Sequence, residues 1–362
     1  MPSSPLSSRT TGALTSRRSV LAVGGALGLT GLLAACGESE EKKADSGKPG
    51  GTDSGGKSAK KGPWTFTDDR KKAVKKDAVP TNIVAFTGVA AALFDYGIKV
   101  KAVFGPTKTQ GGKADVQAGD LDVDKLTVLG NEWGQFNVEE YAALSPDLLI
   151  STMFDGSGTL WYVPEESEKQ ILGLADSVGI SVYDRQLTAP LQRMLELAAS
   201  LGADVKAKQV TDAKKRFEAA AARLRKAAKA RPEIKVLVGS ASQEIFYVSG
   251  SNLSADLEYF TSLGVNIVEP SESAKKASGG WFENLSWENV DKYPADVLLM
   301  DNRTSALQPD ALTKAKPTWN KLPAVKAGQV VPRVTEPIYS YGKVAPILED
   351  LAKAIETAKK VS

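Results

Sequence analysis

DVKAKQVTDAKKRFEAAAARLRKAAKARP, residues 204–232, reads as one uninterrupted helix and its stop. Val210, Ala213, Phe217, Ala220, Leu224 and Ala227 recur at alternating steps of three and four, which keeps one narrow apolar stripe on one side of a helix. Lys206, Lys208, Lys214, Lys215, Arg223, Arg225 and Lys226 take the other sides. Asp204 is the expected N-cap, and Arg231-Pro232 ends the run because proline has no amide hydrogen to donate. At 1.5 Å per residue the helix over 204–230 would run about 40 Å, the width of a domain. A surface helix with one docked stripe would read the same way, so the flanks decide.

On the amino-terminal side the pattern alternates. Strand-like 82–86 follows Pro80, 89–96 is helical and stops at Gly97, 100–104 is a strand and 137–144 a helix. A buried strand at 147–151, a helix over 165–177, a strand at 180–183 and a helix over 191–201 complete that half. After Pro232 the alternation restarts: strands at 234–238, 245–248, 266–268, 296–300 and 329–331, helices at 255–263 and 288–293, and a closing helix over 346–360. Short alternating units of this kind predict an α/β fold of two lobes, each with a central mostly parallel sheet flanked by helices, joined by one long interdomain helix. The expected boundaries are 63–203 for the first lobe, 204–231 for the helix and 232–362 for the second lobe.

A chain of 362 residues can bury two cores of ordinary size. It contains no histidine and one cysteine. The first absence removes the usual general base and the commonest metal ligand, and the second removes internal disulfides and thiolate zinc sites. Arg9, Arg17 and Arg18 are the only charged residues before Cys36, so the formal charge of +3 belongs to that segment and no nucleic-acid partner is expected.

Residues 1–36 read as a targeting segment: arginines, an apolar glycine- and alanine-rich run too short for a good membrane span, then Leu33-Ala34-Ala35-Cys36. Ser16-Arg17-Arg18-Ser19-Val20-Leu21 resembles a twin-arginine export signal, and Leu-Ala-Ala-Cys resembles a bacterial lipobox. The alternative is a structural cysteine in an N-terminal helix. The lipobox implies lipidation of Cys36 and a protein held on the extracytoplasmic face of a cell membrane. Residues 37–62 carry no large apolar side chain and are expected to be a flexible tether, with folded structure starting near Trp64.

The two halves share a phrase. Asn137-Val138-Glu139-Glu140 leads through Ser145-Pro146-Asp147 into an apolar run, and Ser286-Trp287-Glu288-Asn289 leads through Pro294-Ala295-Asp296 into another. Helix capping alone accounts for either copy, since Asn137 and Ser286 are good N-caps and the glutamates fall where the helix dipole favours them. Together with the lipobox and the segment from Pro317-Thr318-Trp319-Asn320 to Gln329-Val330, these phrases make the chain resemble the class III substrate-binding proteins of ABC importers, the carriers of iron-siderophores, haem and cobalamin. The resemblance covers about residues 80–358. It implies two α/β lobes on a single rigid helix, a ligand cleft between them, modest closure and no catalysis or cofactor. It also implies that Glu139 and Glu288 dock the lobes to arginines of the permease, and that the protein works as a monomer.

Cleft residues are expected on loops at the ends of strands. After 147–151 come Phe154, Trp161 and Tyr162. In the second lobe Trp281, and the pair Tyr339 and Tyr341, match cleft aromatics of ferric-hydroxamate-binding relatives. Arg303 and Arg333 follow strands and could reach the cleft or lie on the surface. The hydroxamate-binding pattern has an arginine after Gly130, where this chain has Asn131-Glu132-Trp133. The missing cation points to a neutral or cationic ferric chelate such as a ferrioxamine, with Trp133 near the ligand. Without histidine, direct coordination of bare manganese or zinc is not expected. Haem, through Tyr339, Tyr341 or Tyr162, and cobalamin remain alternatives. So do an exported lipoprotein enzyme working with Asp, Glu, Lys and Tyr, and a structural surface protein.

Overall fold

The computed structural model describes residues 62–362; the expected signal segment, the lipidation site Cys36 and the tether up to Lys61 lie outside the described residues. Folded structure opens with β1 (Trp64–Thr67) and β2 (Ala73–Lys76), an antiparallel pair. The first lobe continues with β3 (Ile83–Phe86), α1 (Thr87–Asp95), β4 (Ala102–Phe104), β5 (Thr127–Val128), α2 (Val138–Ala143), β6 (Leu148–Met153), α3 (Glu168–Leu174), β7 (Asp176–Ser181) and α4 (Thr188–Ser200). Its sheet has the order β5-β4-β3-β6-β7, and every pairing is parallel. Both β3 and β6 are buried along their whole length, as strands covered on two faces must be. The β1–β2 pair, which periodicity did not reveal, lies along the free edge of β7. Asp68 and Asp69 accept from the Gly179 and Ser181 amides at 3.0 and 2.9 Å, and Arg193 holds Asp69 at 2.8 Å.

After α5 (Lys208–Ala230) the second lobe is built from β8 (Val236–Ala241), β9 (Ile245–Ser249), α6 (Ala255–Ser262), α7 (Glu272–Lys276), β10 (Phe282–Ser286), β11 (Val297–Asp301), α8 (Pro309–Ala315), α9 (Pro323–Lys326), β12 (Val330–Arg333) and α10 (Tyr341–Thr357). The sheet order is β10-β9-β8-β11-β12. Here β8, β11 and β12 are parallel, while β9 runs against both neighbours, so this sheet is mixed where the first is wholly parallel. Residues 266–268 contribute an isolated bridge to Val236 rather than a strand, and the expected helix at 288–293 is a short 3-10 turn over Trp287–Asn289.

The repeated phrase has a structural counterpart. Asp147 accepts from the Asn82 amide at 2.8 Å just before β3, and Asp296 accepts from the Lys235 amide at 2.8 Å just before β8. In each lobe the carboxylate closes the entry of one central strand onto its neighbour, β6 beside β3 and β11 beside β8.

The long helix starts four residues later than expected. Asp204 accepts from the Lys206 amide in a preceding turn at 3.2 Å, and Ala207 occupies the N-cap without a side-chain bond. Its stripe of Val210, Phe217, Ala220, Leu224 and Ala227 is buried against α10 and the second lobe. Arg216 meets Glu349 at 2.8 and 2.7 Å, and Arg223 meets Glu356 at 3.0 and 2.6 Å. Both members of the second pair lie seven positions beyond the first, so α5 and α10 run parallel. The connection is therefore a helix pair. The start of α10 also reaches the first lobe: Ser340 donates to Asp95, and Lys343 pairs with Asp120 at 2.6 Å. Pro346, read as the onset of the closing helix, lies inside α10.

Candidate functional site

A cavity of ≈ 440 Å³ opens between the lobes. The carboxyl ends of β6, β7, β11 and β12 and the loops beyond them line it with Phe154, Asp155, Trp161, Val182, Arg303, Arg333, Thr335, Glu336, Pro337 and Tyr339. This is where open α/β sheets place their ligands. The second lobe adds Gly250, residues 253–257, Trp281 and Phe282. The walls are mainly apolar and aromatic, with a few charged groups, as small-molecule sites generally are.

Of the residues expected from the sequence, Trp161, Trp281, Tyr339, Arg303 and Arg333 line this cavity, and so does Phe154. Trp133 is 62% exposed and is not among the lining residues; its ring lies 4.7 Å from Trp161 and 5.1 Å from Tyr162 between centroids. Tyr162 itself turns away: it has a φ of 62° and packs on Phe86 at 5.5 Å. Burial pushes its hydroxyl up to about 12. Tyr341 is also not among the residues that line the cavity. Residues two apart in an extended segment face the same way, but Ser340 caps α10 by accepting from the Lys343 amide, so Tyr341 already belongs to the helix. Its ring packs on Phe217 of α5 at 5.4 Å, while Tyr339, before the cap, faces the cavity.

The two arginines carry their own counter-charges. Arg333 donates to both oxygens of Asp256 at 2.9 Å and to Ser254 at 2.8 Å. Burial opposes the Asp256 charge, but Arg333 outweighs it and holds the carboxyl below the usual range. Arg303 donates to Asp301 at 2.7 Å and to Glu336. Burial pulls the Arg303 guanidinium down, yet its hydrogen bonds to Asp301 and the Glu336 charge leave it above its ordinary value. Burial lifts the Tyr339 hydroxyl well above the ordinary phenol value, and the charges of Asp256 and Glu336 add to this.

Glu336, Asp256 and Thr335 were not singled out from the sequence. Glu336 ties the lobes together: its Oε2 accepts from Gln117 at 2.8 Å and from the Trp161 indole at 3.2 Å, both in the first lobe. Its φ of 56° is a left-handed conformation that a side chain adopts only when its surroundings impose it. Nearby, Thr304 donates to Asp115 at 2.8 Å and the Leu187 amide to the Ala255 carbonyl at 3.0 Å, again across the lobes. The Thr335 hydroxyl is buried in the cavity wall without a hydrogen-bond partner among the described residues. The argument from strand ends that selected Arg333 extends to Thr335 and Glu336, which follow it in the same loop. Asp256 read only as an acid in a helix's first turn. Among the described residues, no group of three or more Asp, Glu, Cys or His side chains could hold a metal ion.

Glu139 and Glu288 are exposed on separate lobes. In α2 the capping is done by Asn137 and Glu140: the Glu140 amide donates to Asn137 at 3.0 Å, and Asn137 donates to the Glu140 carboxylate at 3.2 Å. Glu139 is left exposed, and among the described residues no side chain pairs with it. Glu288 is drawn back onto its own turn, where its backbone amide and the Ser286 hydroxyl hold its carboxyl below the usual range.

Residues 83–332 match the family described as periplasmic binding protein. No curated protein matches the chain. Among solved structures it is similar to DesE, a ferric-siderophore receptor protein from Streptomyces coelicolor, with 70% identity over 83% of this chain and 100% of that one and a TM-score of 0.81. The fold also resembles the siderophore periplasmic binding protein from the fuscachelin gene cluster of Thermobifida fusca, at 20% identity, 76% and 96% coverage and a TM-score of 0.54. Staphylococcus aureus SirA, solved with staphyloferrin B, shares the fold at 18% identity, 82% and 99% coverage and a TM-score of 0.55.

Proposed function

Because the chain belongs to the periplasmic binding protein family, as a class III substrate-binding protein of an ABC importer, we propose that it captures a ferric siderophore, of hydroxamate type, in the cavity between its lobes and delivers it to a membrane permease. The observation that carries this reading is the charge arrangement of the cavity. Its lining holds three carboxylates, Asp155, Asp256 and Glu336, against two guanidiniums, Arg303 and Arg333, and both guanidiniums are already paired. A trianionic catecholate chelate would need several cations free to converge on it. A neutral or cationic trihydroxamate chelate needs only ring surface and hydrogen-bond partners, which Trp161, Trp281, Tyr339 and Thr335 supply.

Haem gains little here. Of the three tyrosines, Tyr162 packs on Phe86 and Tyr341 lies against α5, which leaves Tyr339 alone on the cavity wall. Glu139 and Glu288 are the proposed contacts to permease arginines, with the planar guanidinium suited to bidentate pairing. Cys36 is the proposed lipid anchor; Cys36→Ser is expected to move the protein from the membrane fraction to the medium.

The test of the ligand class is a tryptophan-fluorescence titration, since Trp161 and Trp281 line the cavity. Ferric trihydroxamates should quench strongly and ferric tricatecholates weakly. Tight binding of a tricatecholate, or of haem, with no response to any trihydroxamate would replace this reading.

A further inference from the structure

Four of the five charged side chains lining the cavity are accounted for by one another or by Asp301. Asp155 is the exception. Its Oδ1 accepts from the Ser157 amide at 2.9 Å and from the Ser157 hydroxyl at 2.6 Å, which fixes its direction, and among the described residues no cation faces it. It sits exposed at the rim, with aromatic surface on both sides. The preceding Phe154 meets Trp161 at 4.7 Å. The following Gly156 passes so near Tyr183 that a methyl group on its Cα would stand 3.4 Å from that ring, and Tyr183 in turn meets Trp281 of the other lobe at 6.1 Å.

A carboxylate that shares the mouth of a cavity with aromatic side chains matches one kind of group. Ring faces attract a cation and gain little from an anion, and the carboxylate adds an ion pair that a neutral group cannot make. At the rim the cation keeps part of its hydration, so the desolvation cost that weakens buried pairs is small. Arg303 and Arg333 do not oppose it, because their own carboxylates neutralise them. Resting on the reading of this cavity as a ferric chelate site, we infer that Asp155, with Phe154, Trp161 and Trp281 of the same cavity wall, forms a rim subsite for a pendant alkylammonium group of the chelate.

Two ferric chelates with the same trihydroxamate core test this by fluorescence titration of the full chain, one ending in a free primary amine and the other with that amine acetylated. The amine form is expected to bind about fivefold tighter. That ratio should fall towards one in Asp155→Asn, which keeps the acceptor for Ser157, and towards one in about 1 M salt; Asp155→Glu should retain it. Equal affinity in the unmodified protein, or a preference that survives Asp155→Asn, overturns the subsite and leaves the chelate reading standing. Binding of neither chelate overturns both.

Discussion

Asp256 and Arg333 are both buried and bond each other twice, at 2.9 Å. Asp256→Asn would leave the guanidinium without its counter-charge in a low-dielectric wall, and the expected loss is about 3–5 kcal/mol. A lower urea midpoint with an unchanged slope would report it. Asp296 sets a different dependence. Burial pushes its carboxyl up, but the amides of Lys235, Val361 and Ser362 and the Lys360 ammonium bring it down to about 2. A carboxyl depressed in the folded state contributes stability above its unfolded value and loses it as pH falls through the folded value, so on the order of 2 kcal/mol should disappear between about pH 4 and pH 2. Asp296→Asn should flatten that limb of the stability curve. The cavity residues legible in the sequence were those placed by strand ends, Trp161 and Arg333 among them. The same argument reaches the position of Glu336 but not its role, because its partners Arg303, Trp161 and Gln117 stand 33, 175 and 219 positions away and no local pattern encodes such a meeting.

Between α5 and α10 two kinds of contact can be separated. Leu224 is fully buried in the seam, and Leu224→Ala is expected to cost about 2–5 kcal/mol. The pair of Arg223 with Glu356 is solvent-exposed, and a double-mutant cycle should return less than about 1 kcal/mol. Packing thus fixes the helix pair and the ion pairs fix its register. A cycle energy well above that bound would reverse this ranking. The apolar stripe of α5 was readable because burial repeats locally every three or four residues. Its onset was not, since Asp204 offers a capping side chain one turn before the helix begins. The onset of α10 was hidden by Pro346, which the helix accommodates near its amino end.

At the scale of the molecule, the lobes are joined by the α5–α10 pair on one side and by Glu336, Leu187 and Thr304 on the other. Such a joint permits a small tilt and resists a wide swing. Solution scattering should therefore give nearly the same radius of gyration with and without ligand, and a marked compaction would contradict this. Glu139→Gln with Glu288→Gln should impair uptake while leaving ligand titration unchanged; intact transport would remove both from the docking role. The two-lobe α/β architecture was legible because strands, helices and glycine stops alternate on both sides of α5. The mixed second sheet was missed, although β8 and β9 are joined by only residues 242–244, too short a link for a parallel crossover.

The β1–β2 pair has a mechanical consequence. It is the first folded element after residue 62, and it lies along β7 with its strands joined to that edge by the carboxylates of Asp68 and Asp69, backed by Arg193. Tension applied from the amino-terminal side of the chain would therefore enter the body there. It would be borne by the bonds of Asp68 and Asp69 to the Gly179 and Ser181 amides and by Arg193, at the edge of β7 just before Val182 reaches the cavity.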